Sequence, residues 1–293
     1  MPSILDAIGN TPIVKLRSAN VYIKLEYYNP TGSYKDRMAL SVIEGAERRG
    51  DLKPGMRVVE YTGGSTGSSL AMVCAVKGYA FEPVSSDAFA REKLQTMRAF
   101  GANLHLVQSD GGKITPGLFD RMKAEIKHLA AQPDAFYADQ FNNPDVATGY
   151  APLGQELLKQ LDGKIACFCG GVGSGGMVMG VARVLKPTGT RIVALEPASS
   201  PFLTTGKGGP HRVEGVGVGF WPPHVDLGEI DDIRAIDEEA AFEMTRRLAR
   251  EEGILAGTST GMNVVGALDL AEELGPDAVV VTVACDSGLK YLG

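Results

Sequence analysis

A lysine is a nucleophile only when neutral, and Lys35 stands where a neutral amine is favoured. In Asn29-Pro-Thr-Gly-Ser-Tyr-Lys-Asp-Arg37 a turn-forming Asn-Pro and a Gly-Ser lead into a helix expected near Lys35, with Ser33 as its cap. The positive end of the helix dipole disfavours an ammonium in the first turn. The plainer alternative is an exposed Lys35 paired with Asp36. Three further turns rich in Gly, Ser and Thr join a strand to a helix. Thr62-Gly-Gly-Ser-Thr-Gly67 offers amides and hydroxyls to whatever lies above the strand end. Its Gly63–Gly67 stretch also matches the Gly-x-Ser-x-Gly elbow, which leaves open a serine hydrolase using Ser65 with His211 or His224. Cys169-Gly-Gly-Val-Gly-Ser-Gly-Gly176 presents successive N–H groups suited to a phosphate. There Gly171, Gly173 and Gly176, with Glu196 closing the next strand, also satisfy the dinucleotide pattern of an NAD(P)-dependent oxidoreductase. No lysine follows these glycines, which excludes a Walker loop. In Ala256-Gly-Thr-Ser-Thr-Gly261, Ser259 is either a single hydrogen-bonding group in a buried site or the cap of the next helix.

Each turn needs a strand behind it and a helix ahead. β-Branched runs predict strands at Val21–Glu26, Arg57–Tyr61, Phe81–Ser85, Asn103–Val107, Ile165–Cys169, Arg191–Glu196 and Val279–Cys285. Apolar residues at three- and four-residue spacing predict helices over Met38–Arg49, Ser68–Lys77, Arg91–Phe100, Gly117–Leu129, Gly154–Gln160, Met177–Leu185, Glu238–Glu252 and Met262–Leu274. Strands alternating with helices imply an α/β protein whose mostly parallel sheet is covered on both faces. The glycine-rich stretch from Pro197 to Asp232, with Trp221-Pro-Pro223, is long for a connection and reads as a functional loop.

Composition removes other classes. With 293 residues, 44% hydrophobic and 22% charged, the chain is long enough for a large core or two modest ones, and it is not disordered. A net charge of −6 gives no basic surface for nucleic acid. No stretch is apolar enough to span a membrane, and the first sixteen residues do not form a secretory signal, so a cytoplasmic protein is expected. Cys74, Cys167, Cys169 and Cys285 lie in apolar stretches without a Cys-x-x-Cys pair, which suits reduced thiols better than disulfides or zinc; no metal site is expected.

Together the loops describe a cofactor with one phosphate held between a reactive lysine and a serine, pyridoxal 5′-phosphate. Asn29–Arg37 resembles the lysine segment of the cysteine synthase (O-acetylserine sulfhydrylase) and cystathionine β-synthase family, fold type II of the pyridoxal-phosphate enzymes. Ile8–Leu16, Gly173–Gly176, Gly215–Phe220 and Asp286-Ser-Gly288 are similar to further motifs of that family, in the same order. The resemblance implies a fold like the tryptophan synthase β-subunit, with twisted, mostly parallel sheets flanked by helices. A smaller mobile domain over 35–145 would move against a larger one made of 1–34 and 146–293. It implies that Lys35 carries the cofactor and acts as base, that Gly173, Ser174, Gly175 and Gly176 hold the phosphate, and that Ser259 meets the pyridine nitrogen. Thr62, Gly63, Ser65, Thr66 and Gln140 would receive the substrate carboxylate, with Ser65 also at the cofactor and Gly217 in the loop facing it.

The implied reaction is β-replacement on an O-activated serine through an aminoacrylate: O-acetylserine and sulfide give cysteine and acetate. O-Phosphoserine or serine as donor, another nucleophile, and simple elimination stay open. Small-molecule substrates and a homodimer are implied as partners. No regulatory domain is expected after Gly293, and no heme segment before Met1. Two motifs depart from the family pattern, the first of them with Ser65 in place of its asparagine. Thr-Ser-Gly-Asn-Thr-Gly becomes Thr62-Gly-Gly-Ser-Thr-Gly67, and Met177 replaces a common threonine, with the loss of one phosphate hydrogen bond expected.

Overall fold

Successive residues of a strand face opposite ways, and in this chain both faces of the central strands are apolar. The computed structural model describes residues 2–113 and 115–292, so the expectations for what precedes Met1 and follows Gly293 lie outside the described residues. In chain order the elements are β1 (Ile13–Lys15), β2 (Val21–Leu25), α1 (Lys35–Arg49), β3 (Arg57–Tyr61), α2 (Ser65–Lys77), β4 (Ala80–Ser86), α3 (Arg91–Ala99) and β5 (His105–Val107). They continue with α4 (Pro116–Ala130), β6 (Ala135–Tyr137), α5 (Asp145–Thr148), α6 (Ala151–Gln160), β7 (Cys167–Gly171), α7 (Gly176–Leu185) and β8 (Arg191–Pro197). The last are α8 (Phe202–Thr205), β9 (Asp232–Ile236), α9 (Glu238–Arg247), α10 (Thr258–Leu274) and β10 (Val280–Ala284).

The strands form two sheets. A four-stranded parallel sheet runs β5-β4-β3-β6, and a six-stranded sheet runs β1-β2-β10-β7-β8-β9, parallel except for β1. In the smaller sheet Val58 faces the main core while its neighbour Val59 faces Leu118, Met122 and Ile126 of α4. In the larger sheet Phe168, Ile192 and Val281 face that same main core, and Cys167, Val193 and Val280 face Val264 and Ala267 of α10. The main core is thus continuous between the two sheets. The fold is the α/β class expected, with mostly parallel sheets flanked by helices.

Sequence periodicity finds seven strands and misses β1, β6 and β9. β1 and β6 have three residues each, too few to show a period, and β9 is a half-buried edge strand. Helices α1, α2 and α10 begin three to four residues before their apolar periodicity, at Lys35, Ser65 and Thr258, and for α1 this is the start that the turn before it marks. Their first turns are built from Lys, Ser, Thr, Gly and Asp, whose apolar signal is nil and whose helix propensity is mostly low. The cap of α1 is Tyr34 rather than Ser33, although the Ser33 hydroxyl does accept the Lys35 amide at 3.2 Å. Likewise Gly257, not Ser259, caps α10.

Candidate active site

In parallel α/β sheets, loops after the carboxyl ends of neighbouring strands converge. Here the meeting point is the end of β10. The Tyr34 amide donates to Cys285 O at 2.9 Å, the Ser287 amide to Gly32 O at 3.0 Å and the Gly257 amide to Asp286 O at 3.1 Å. The Asp286 carboxylate accepts the Tyr291 hydroxyl at 2.6 Å and the Ser65 hydroxyl at 3.3 Å. Asn263 ties in the glycine turn after β7: its Oδ1 accepts the Gly171 amide at 2.8 Å, and its Nδ2 donates to Val283 O at 2.9 Å. All four turns singled out in the sequence therefore meet at one strand end.

Lys35 opens α1, and its Nζ lies 4.9 Å from the centre of the buried Tyr34 ring. Burial brings its pKa down to about 8, with the acidic groups of Cys285, Asp286 and Glu60 acting in the opposite direction. A substantial neutral fraction near physiological pH suits a nucleophile and base. Asp36 is not its partner. Asp36 is buried and turns back to accept the Thr31 amide at 2.8 Å and the Thr31 hydroxyl at 2.5 Å, which locks the turn. Behind Lys35, Arg37 is clamped by Glu26 at 2.7 Å and Glu156 at 2.8 Å, and Lys24 meets Glu156 at 2.6 Å. Two positive and two negative groups balance in that buried cluster.

Between β7 and α7 the turn is a cradle with no room for side chains. A Cβ on Gly173 would lie 2.3 Å from the carbonyl oxygen of Gly215; one on Gly176 would lie 2.4 Å from Val146. Gly175 has φ +88°, a left-handed conformation that favours glycine. Ser174 is buried in the same turn. The loop after β8 closes over it: the Gly217 amide donates to Val172 O at 3.0 Å, and Gly217 O meets His211 Nε2 at 2.9 Å. Met177 packs into the core above Gly170 and leaves the α7 amides to bind an anion.

The Thr62–Gly67 turn opens a second helix, α2. Ser65 opens α2, so the first amides of that helix lack a carbonyl one turn back. The buried Thr66 hydroxyl donates to Gln140 Oε1 at 2.8 Å. Gln140 is held from three further sides. Its amide donates to Glu60 at 3.1 Å, its carbonyl meets His224 Nε2 at 3.1 Å, and its side-chain nitrogen donates to Tyr61 O at 3.4 Å. Burial raises the Glu60 carboxyl to about 8, against the pull of the Gln140 and Tyr61 backbone amides and of Lys35. Ser65 is contacted by Asp286 and by Lys290 at 3.2 Å. His211 and His224 are engaged with Gly217 and Gln140, so no Ser-His pair is assembled at Ser65 and the hydrolase alternative fails on geometry. Glu196 caps α8 through Leu203 and Thr204 and is not available to a ribose.

A family model described as pyridoxal-phosphate dependent enzyme matches residues 4–286. The chain belongs to that family. It is 44% identical to a cysteine synthase of Staphylococcus aureus, over 99% of this chain and 95% of the relative. Among solved structures, the cysteine synthase of Entamoeba histolytica superposes with a TM-score of 0.92 at 33% identity, covering 99% of this chain and 89% of that one. An O-ureido-L-serine synthase does so with a TM-score of 0.91 at 39% identity, covering 100% and 94%.

The residues fit the family's cofactor. The cradle at Gly173–Gly176 takes an anion and nothing bulkier on its own backbone, Lys35 supplies an amine of lowered pKa, and Ser259 is buried beside the Cys285 thiol. Sequence reasoning overlooked Asn263 and Glu60, which position the loops, considered His224 only as a partner for Ser65, and gave Asp286 no task. Only Asp286 carried a signal, as the last residue before a Ser-Gly turn; the others are single polar residues in strands, helices and loops. Among the described residues no group of three metal-ligating side chains is present, and no helix is long and apolar enough to cross a membrane.

Proposed function

We propose that this enzyme makes L-cysteine from O-acetylserine and sulfide, releasing acetate. The observation that carries the reading is the convergence of the Lys35 amine, the glycine cradle and the Thr62–Gln140 carboxylate site at one end of β10. Pyridoxal phosphate, when bound, supplies an electron sink for charge developing at the substrate Cα. Lys35 Nζ would hold it covalently, Gly173–Gly176 would hold its phosphate, and the Ser259 hydroxyl would meet its ring nitrogen, where a neutral partner suits elimination more than transamination. Thr62, Ser65, Thr66 and Gln140 orient the donor by its carboxylate, with the opening amides of α2 adding their positive field. Lys35 Nζ, released as a neutral amine, takes the Cα proton as acetate departs from Cβ. Sulfide then adds to Cβ, and Lys35 returns the proton to Cα.

The smaller sheet and its helices, within 35–145, act as the closing unit that excludes water, and the enzyme works as a homodimer in the cytoplasm. Four free, buried cysteines suit that compartment. The test is turnover of O-acetylserine and sulfide by the purified, cofactor-loaded protein, with Lys35→Ala as control. Cysteine formation that is lost by a folded Lys35→Ala variant supports the reading. Turnover of O-phosphoserine alone would move the donor, and activity retained by Lys35→Ala would overturn the mechanism.

A further inference from the structure

The turn that receives the donor carboxylate is backed by one stripe of side chains. Phe89, Lys93 and Met97 lie four residues apart, and each abuts one glycine of that turn. A Cβ on Gly67 would lie 2.4 Å from Met97 Sδ, and one on Gly64 would lie 3.8 Å from the Lys93 side chain. At Gly63 the fit is tightest: a Cβ would lie 2.3, 2.4 and 2.6 Å from three atoms of the Phe89 ring. The ring is half-buried. It packs against the cluster of Val59, Val84, Leu118 and Met122 under α4, and its backbone is fixed in a turn where the Phe89 amide donates to Ser86 O at 3.2 Å.

We infer that Phe89 sets the pose of the carboxylate-binding turn by filling the space a side chain at Gly63 would need, so that the Gly63–Phe89 pair decides which amino-acid donor this site accepts. The family pattern has serine where this chain has Gly63. A serine at that position would meet the aromatic ring. The donor carboxylate loses one hydroxyl partner and is left to the turn's amides, Thr62, Thr66 and Gln140. Phe89 touches the turn and is a positioning residue.

This inference rests on the β-replacement reading, and the experiment separates the two. Wild type, Phe89→Ala, Gly63→Ser and the double variant are compared as holoenzymes with O-acetylserine at saturating sulfide. Spectral titration with L-serine serves as a binding readout that needs no turnover. Gly63→Ser alone is expected to raise the donor KM and the L-serine Kd about tenfold or more, with kcat moved far less. Adding Phe89→Ala should bring both within about threefold of wild type, the non-additivity expected of residues in contact. A Gly63→Ser enzyme with wild-type KM, or a double variant no better than Gly63→Ser, would overturn the proposal. Should Gly63→Ser fail to fold, a folded double variant supports the pairing, and Phe89→Ala alone still decides: a raised KM with kept kcat upholds the pose, and an unchanged KM removes it. Loss of wild-type turnover with normal L-serine binding and coupling would refute the reaction and leave the pair standing.

Discussion

Two glycine-rich turns each open a helix, α2 and α7, and the walls beside Gly63 and Gly173 differ. Around Gly173 the nearest wall is the backbone carbonyl of Gly215, itself held in place because the nearby Gly217 amide bonds to Val172 O. Around Gly63 and Gly67 the walls are the side chains of Phe89 and Met97. A backbone wall moves only if the loop moves, whereas a side-chain wall changes with one residue. At Gly173 the limit is therefore set by backbone, although Gly175 and Gly176 of the same turn meet the Val225 and Val146 side chains, and at Gly63 it is set by a ring that one substitution can remove. The same contrast extends behind Lys35, where Lys24, Glu26, Arg37 and Glu156 form a closed charge cluster with every group partnered.

The sharpest way to break this contrast is Glu156→Gln, which leaves Arg37 and Lys24 buried with one negative partner between them. Stability should fall by about 3–5 kcal/mol, the usual cost of an unpaired buried charge, as read from denaturant unfolding. Glu156 sits at about 2 in the folded protein, below its ordinary 4.5, because Arg37 and Lys24 favour its charged form against burial. Its stabilisation is thus complete above pH 4.5 and is lost as pH falls from there toward 2. The wild type should show that acid loss and the Gln variant should lack it.

Gly173→Ala probes the backbone wall itself. Cofactor affinity should drop by about 10–100-fold, the effect of overpacking by 1–3 kcal/mol, and no single side-chain truncation nearby should restore it. Restoration by one such truncation would erase the distinction between the two turns.

The smallest effect sharpens the role of Lys35, which lies between the turns. The cofactor-free protein should capture pyridoxal phosphate faster as pH rises, with a midpoint near 8, because the neutral amine attacks and burial has brought Lys35 down to about 8. A midpoint at the ordinary lysine value, followed by the growth of visible absorbance, would show that burial does not tune this amine.

Much of the site was legible because its signals are local. Lys35, Gly173–Gly176 and Thr62–Gly67 each sit in a turn whose glycines and hydroxyls mark it without reference to the rest of the chain. Two of the strands that carry them were legible for the same reason: Val58-Val59 and Cys167-Phe168 are apolar on both faces. The misses are residues whose work is done at a distance. Glu60 reaches Gln140 from 80 positions away and Asn263 reaches Gly171 from 92. Phe89 reads as an ordinary apolar residue until its ring is found against Gly63. Asp36, next to Lys35, looked like its ion partner and instead closes the turn on Thr31.

By itself the sequence determined the α/β class, the order of turns and the amine, because periodicity and turn chemistry are properties of neighbouring residues. The tertiary structure alone decided that Cys285 and Asp286 would gather the turns, and that Glu60 would be driven to about 8 by burial. It also decided that a backbone carbonyl would back one glycine and a phenylalanine ring the other. Those outcomes depend on which surfaces meet across the sheets, and desolvation and steric exclusion act only once they do.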